Sequence, residues 1–148
     1  MSPWRPLTKD VWWLFALVLC GNASACSCIT RTTLGEHFDH ADFVFVGRVL
    51  SKEDVASRDE PKGWPGVAAK VQLLEIVKAK SQPPPRLITG VGSGDCGVPI
   101  YPAVSYVFFA GPGGEIDICS GTRPYIRGDE EMERYLSEVK SLGRKSAP

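Results

Sequence analysis

Four cysteines, Cys26, Cys28, Cys96 and Cys119, carry most of the chemistry this sequence offers. Thiols can pair, bind metal or act as nucleophiles, and the compartment decides among these fates. The stretch upstream of Cys26 speaks to the compartment. Arg5 and Lys9 precede an apolar run from Val11 to Cys20, which small residues close at Gly21-Asn22-Ala23-Ser24-Ala25. A positive start, an apolar core of about 10 residues and an A-x-A end are the parts of a secretory signal peptide. The run falls short of the roughly 20 apolar residues that a transmembrane helix needs. The reading is therefore a signal peptide over residues 1–25, with cleavage after Ala25. The exported chain, extracellular or periplasmic, then begins at Cys26 with a free α-amine at the head of Cys26-Ser27-Cys28.

Cys20 leaves with the leader, and the four remaining of the five cysteines form an even set in an oxidising compartment. Cys26 and Cys28 are one residue apart, and closing that small ring would strain the disulfide. Each is expected to reach outward to one of Cys96 and Cys119, and the residues leave both such pairings open. Each bridge closes a loop of roughly 70–90 residues, an entropic stabilisation of about 4 kcal/mol.

With every thiol paired, no nucleophilic cysteine is left. G-x-S-x-G, H-E-x-x-H and P-loop signatures are absent as well. His37 and His40, with Asp39 and Asp42 nearby, read as a solvated helix face rather than a metal site. Gly90 to Gly97 reads as a flexible loop that lets a bridge close, not as a phosphate cradle. The chain reads as a non-enzyme, with no cofactor and no metal of its own. One competing reading touches the same residues. Ala23-Ser24-Ala25-Cys26 also approaches a lipobox, and lipidation would acylate the Cys26 amine and leave an odd thiol among Cys28, Cys96 and Cys119. A membrane enters the picture only in that case.

The rest of the chain must position these cysteines. Of 148 residues, removal of 25 leaves 123, enough for a single core. The 17 basic and 17 acidic residues become 15 and 16, a net charge of −1, which disfavours nucleic acid as a partner; the expected state is a monomer. Thr33-Leu34-Gly35-Glu36 has capping-box spacing, which predicts a short helix from about Leu34 to His40. Strands are predicted at Asp42–Leu50 (with Gly47 marking a bulge), Val67–Lys78, Arg86–Val91, Val104–Ala110 and Glu115–Cys119. Residues 52–66 read as a long exposed loop. Met132, Tyr135, Leu136 and Val139 form one apolar stripe, predicting an amphipathic helix from about Asp129 to Leu142. The expectation is one domain over residues 26–142, all-β with flanking helices, followed by a flexible tail at 143–148. Five short strands suit a small Greek-key barrel.

At this point a family resemblance enters. Cys26-Ser27-Cys28, Ala41-Asp42-Phe43-Val44-Phe45, Cys96-Gly97, Tyr106-Val107-Phe108-Phe109 and Cys119 resemble the N-terminal domain of the tissue inhibitors of metalloproteinases. The likeness covers about residues 26–124, and the Cys-x-Cys at a cleaved N-terminus is its specific part. It implies the five-stranded OB-fold barrel of netrin-like modules and the pairings Cys26–Cys96 and Cys28–Cys119. It also implies a partner, a zinc metalloendopeptidase. The Cys26 amine and carbonyl would chelate the protease zinc, and Ser27 would enter the adjacent specificity pocket. Cys28, Gly94, Asp95 and Cys96 would extend the contact ridge, and residues 52–66 would touch the protease rim. The chemistry is sound in itself. A catalytic zinc keeps one open position, and an α-amine with a reference pKa of about 7.7–8.0 loses its proton cheaply near neutral pH. The family's third bridge in this domain has no counterpart here, nor has the C-terminal domain of the animal inhibitors. An extracellular or lipid-anchored netrin-like binding or structural module without inhibitory activity is the alternative.

Overall fold

A computed structural model of the protein describes residues 28, 33–55, 65–92 and 94–146. Helix α1, Leu34–His40, starts where the capping box predicts. Glu36 N–H donates to Thr33 Oγ1 at 3.3 Å, and Thr33 N–H donates to Glu36 Oε2 at 2.6 Å. The chain turns extended at Ala41 and enters strand β1, Phe43–Val55. Four strands follow: β2 (Gly66–Ala79), β3 (Arg86–Gly90), β4 (Ser105–Ala110) and β5 (Arg123–Tyr125). Helix α2, Glu130–Ser146, closes the described chain. No helix among the described residues is long and apolar enough to cross a membrane.

The strands form one antiparallel sheet in the order β3-β2-β1-β4-β5. β1 lies at its centre and is buried on both faces over its first half. Phe43, Phe45 and Val49 pack into one core with Leu87, Tyr106 and Phe108. Val44 and Val46 pack into another, under Phe38 of α1 and Leu136 and Val139 of α2. Two covered faces explain why this stretch reads as a continuous apolar run instead of alternating. The β1–β2 register shifts three times, once at Val46/Gly47. A Cβ on Gly47 would lie 2.5 Å from Val71 Cγ1, so the predicted bulge is also a point of close approach.

Three expectations need correction. The loop predicted from residue 52 is still strand up to Val55, where Lys52, Glu53 and Asp54 pair with Ala69, Ala68 and Val67. These three side chains are exposed, so the strand carries loop-like polarity. The strand predicted at Glu115–Cys119 is one isolated parallel bridge from Ile88 to Glu115, followed by a turn. The fifth strand of the sheet is instead Arg123–Tyr125, three residues with a proline on the sheet edge. Finally, α2 runs to Ser146, beyond the end predicted at Leu142. Gly143 is a packing residue: a Cβ there would sit 2.8 Å from Val77 Cγ1.

Candidate functional site

The described cysteines, Cys28, Cys96 and Cys119, converge at one edge of the sheet. Cys28 is exposed and disulfide-bonded to Cys119 across 91 residues of chain, with Cα atoms 5.5 Å apart. This is one of the outward pairings that the sequence leaves open. Cys96 is also disulfide-bonded. Cys26, its partner by resemblance, lies outside the described residues, as do Ser27, the signal segment 1–25 and residues 56–64 of the expected rim loop.

Two turns carry Cys96 and Cys119, and one hydrogen bond joins them. Ile118 N–H donates to the Cys96 carbonyl at 2.9 Å, directly beside Cys119. In the second turn, Cys119 N–H donates to Asp117 Oδ1 at 2.8 Å, and Ser120 N–H donates to the Asp117 carbonyl at 3.1 Å. The two main-chain hydrogen bonds around Ile88 fix that turn against β3. Ile88 N–H donates to the Gly114 carbonyl and Ile116 N–H to the Ile88 carbonyl, each at 2.9 Å. The bridge to Cys28 is thus anchored on a segment tied both to β3 and to Cys96.

The chain after β3 is built around Asp95. Its carboxylate accepts from Val91 N–H at 2.7 Å, Gly92 N–H at 2.8 Å and Gly97 N–H at 3.1 Å. Burial pushes the Asp95 pKa up, but the N–H groups of Gly92, Gly97 and Val91 outweigh it and hold the carboxyl below its ordinary value. Cys96 itself sits at φ +62°, a left-handed conformation unusual for a residue with a side chain. Two glycines make the arrangement possible. A Cβ on Gly90 would lie 2.5 Å from Asp95 Cγ, and one on Gly97 would lie 2.2 Å from the Gly90 carbonyl oxygen.

Asp95 and Cys96 face a cleft of about 180 Å³ lined also by Pro65, Ile88, Glu115 and Asp117. Three carboxylates make it acidic, though each is engaged locally: Glu115 Oε2 accepts from Gly113 N–H at 3.0 Å. Pro65, the residue before β2, brings the loop end of the β1–β2 hairpin to the cleft, beside the residues that the resemblance singles out. Gly94, Asp95, Cys96 and Cys28 are therefore gathered at one edge.

His40 is exposed, and Asp42 pairs with Lys80 at 2.6 Å. Among the described residues no group of three or more His, Cys, Asp and Glu could hold a metal ion. Sequence reasoning missed Ile118, whose N–H joins the two cysteine turns, and the roles of Gly90 and Gly97. The sequence offers only the Gly-rich run from Gly90 to Gly97, which reads as a flexible loop. Compared with protein-family models and with curated protein sequences, the chain matches neither.

Proposed function

We propose that the protein is an exported netrin-like module that inhibits zinc metalloendopeptidases through its mature N-terminus, Cys26-Ser27-Cys28. The observation that carries this reading is the Cys28–Cys119 disulfide beside disulfide-bonded Cys96, with the two turns joined by the Ile118 hydrogen bond. A short segment tied at two adjacent points loses little entropy on docking, so more of its contact energy appears as affinity. The neutral Cys26 amine and its carbonyl form a five-membered chelate on the protease zinc and displace its water. The Ser27 side chain enters the pocket next to the metal. The OB-type barrel belongs to the same proposal. The parallel bridge from β3 at Ile88 to Glu115 supports a sheet that curls towards closure.

The test is titration of a panel of zinc endopeptidases with the purified exported protein, intact and with its α-amine acetylated. Inhibition by the intact form alone supports the reading, because acylation removes the lone pair that binds metal. Ser27→Gly is expected to weaken inhibition modestly and Ser27→Arg to change which proteases are accepted.

A second reading, a binding module with no zinc chemistry, has its own observation. Beyond Lys70, β2 has no strand partner opposite β1 among the described residues. Leu73, Leu74 and Ile76 are 43–49% exposed along that stretch. An open apolar edge is a template for pairing with another chain. No inhibition across the panel, together with binding lost in Leu74→Lys, selects this reading.

A further inference from the structure

We propose that Asp95 is a positioning residue. Its carboxylate clamps the chain after β3, so that Cys96 and the segment its disulfide holds keep a single orientation. The proposal rests on the reading of Cys26-Ser27-Cys28 as the docking segment, and it changes the part Asp95 plays there, from a protease contact to the group that sets the ridge.

The geometry supplies the argument. Oδ1 takes two backbone N–H donors, Gly92 and Gly97, and Oδ2 takes Val91. Donors on both sides of Cys96 in sequence are thereby gathered on one side chain. The carboxylate lies directly on the backbone of Gly90, and Gly97 touches the Gly90 carbonyl, so neither neighbour tolerates a Cβ without displacement. Glycines at these positions leave the backbone intrinsically loose. Yet Cys96 between them is held at φ +62°, a conformation that needs outside support in a non-glycine residue. The clamp supplies that support from one side, and Ile118 N–H on the Cys96 carbonyl supplies it from the other. Glu115 and Asp117 line the same cleft and repel a third carboxylate. The three N–H donors account for Asp95 staying turned inwards, and charge-assisted bonds of this kind are stronger than neutral ones. A carboxylate so occupied has little capacity left for a protease.

The experiment compares the exported wild-type protein with Asp95→Ala and Asp95→Asn. Each disulfide's reduction by dithiothreitol is followed by alkylation and peptide mapping. In Asp95→Ala the Cys96 bridge is expected to open about tenfold faster, the loss of charge-assisted hydrogen bonds, while Cys28–Cys119 keeps its rate. Asp95→Asn retains Oδ1 and its two donors, and is expected to recover part of the effect. In the wild-type protein the amide protons of Val91, Gly92 and Gly97 should all follow one carboxyl titration that lies below the ordinary aspartate value. That common titration should vanish in Asp95→Asn. Equal acceleration of both bridges, no acceleration, or amides that titrate independently would overturn the clamp. Against a protease that the wild-type protein inhibits, Asp95→Ala should inhibit about tenfold more weakly and Asp95→Asn less so. Equal loss in both variants with unchanged reduction rates makes Asp95 a direct contact, and the proposal fails. If the wild-type protein inhibits nothing, the inhibitor reading falls, while the reduction and amide measurements still decide the clamp.

Discussion

The centre of the sheet and its cysteine-bearing edge are held in opposite ways. At the centre, β1 is clad on both faces by apolar side chains, and Phe108 alone touches the rings of Phe45 and Tyr106, each at a centroid distance of 5.3 Å. Many weak, non-directional contacts share the work there, so the strand order survives small errors in any one of them. At the edge, Val98 and Ile116 still pack into the core, and the turns beyond them are held by other means. Order comes from a few specific devices: a disulfide, a carboxylate with three donors, and glycines at points of backbone contact. Burial specifies the scaffold, while covalent and polar ties specify a surface that stays open to solvent.

Breaking the edge should cost the most. Replacing Cys28 and Cys119 together by serine frees a 91-residue loop. The expected loss is about 4–5 kcal/mol by chain entropy, read from urea unfolding. The far-ultraviolet circular dichroism of the surviving native state should stay unchanged, since the sheet does not depend on Cys28. Phe108→Ala should cost a similar or slightly smaller amount, about 3–5 kcal/mol, because Phe108 is fully buried in the central core. Disulfide reduction separates the two kinds of damage. The core variant should keep its reduction rates in the native state, whereas damage at the edge should alter them.

Gly97→Ala sharpens the comparison on a smaller scale. Its Cβ would meet the Gly90 carbonyl oxygen at 2.2 Å, a clash with backbone rather than with a movable side chain. A loss of about 1–3 kcal/mol is expected, with amide exchange accelerated at Val91 and Gly92 and unchanged in β1 and β4. The smallest effect concerns pH. Burial pushes the Tyr135 hydroxyl from 10.0 up to about 12, and Tyr135 donates to the Gly121 carbonyl. A raised folded value means that this contribution to stability is fully present below pH 10 and is lost as pH rises towards 12. Tyr106 and Tyr125 are also raised by burial, so ultraviolet titration should find several tyrosines ionising late, and Tyr135→Phe should remove the latest of them.

Much of the scaffold was legible because local rules and burial agree there. Thr33 and Glu36 announced α1, and Met132, Tyr135, Leu136 and Val139 announced α2. The expectation failed where tertiary contact overrides local chemistry. Lys52, Glu53 and Asp54 look like loop because their own side chains are all exposed, yet they pair in register with β2, where Ala68 and Ala69 are buried. Arg123–Tyr125 has too few residues for any period, and Gly143 resembles a helix stop until Val77 is placed against it. At the site, spacing alone ruled out a bridge between neighbouring cysteines. No local pattern could reveal that Asp95 turns inwards, because its three donors are fixed by the backbone path around it.

In the proposed inhibitor the amine of Cys26, held in place by the cysteine framework, is the zinc ligand. The most direct measurement titrates a zinc endopeptidase with the mature protein and with a form carrying one additional alanine before Cys26. The extended form is expected to lose inhibition while its melting temperature and disulfides stay the same, because the amine has moved away from its anchored position. Equal potency of the two forms would contradict it.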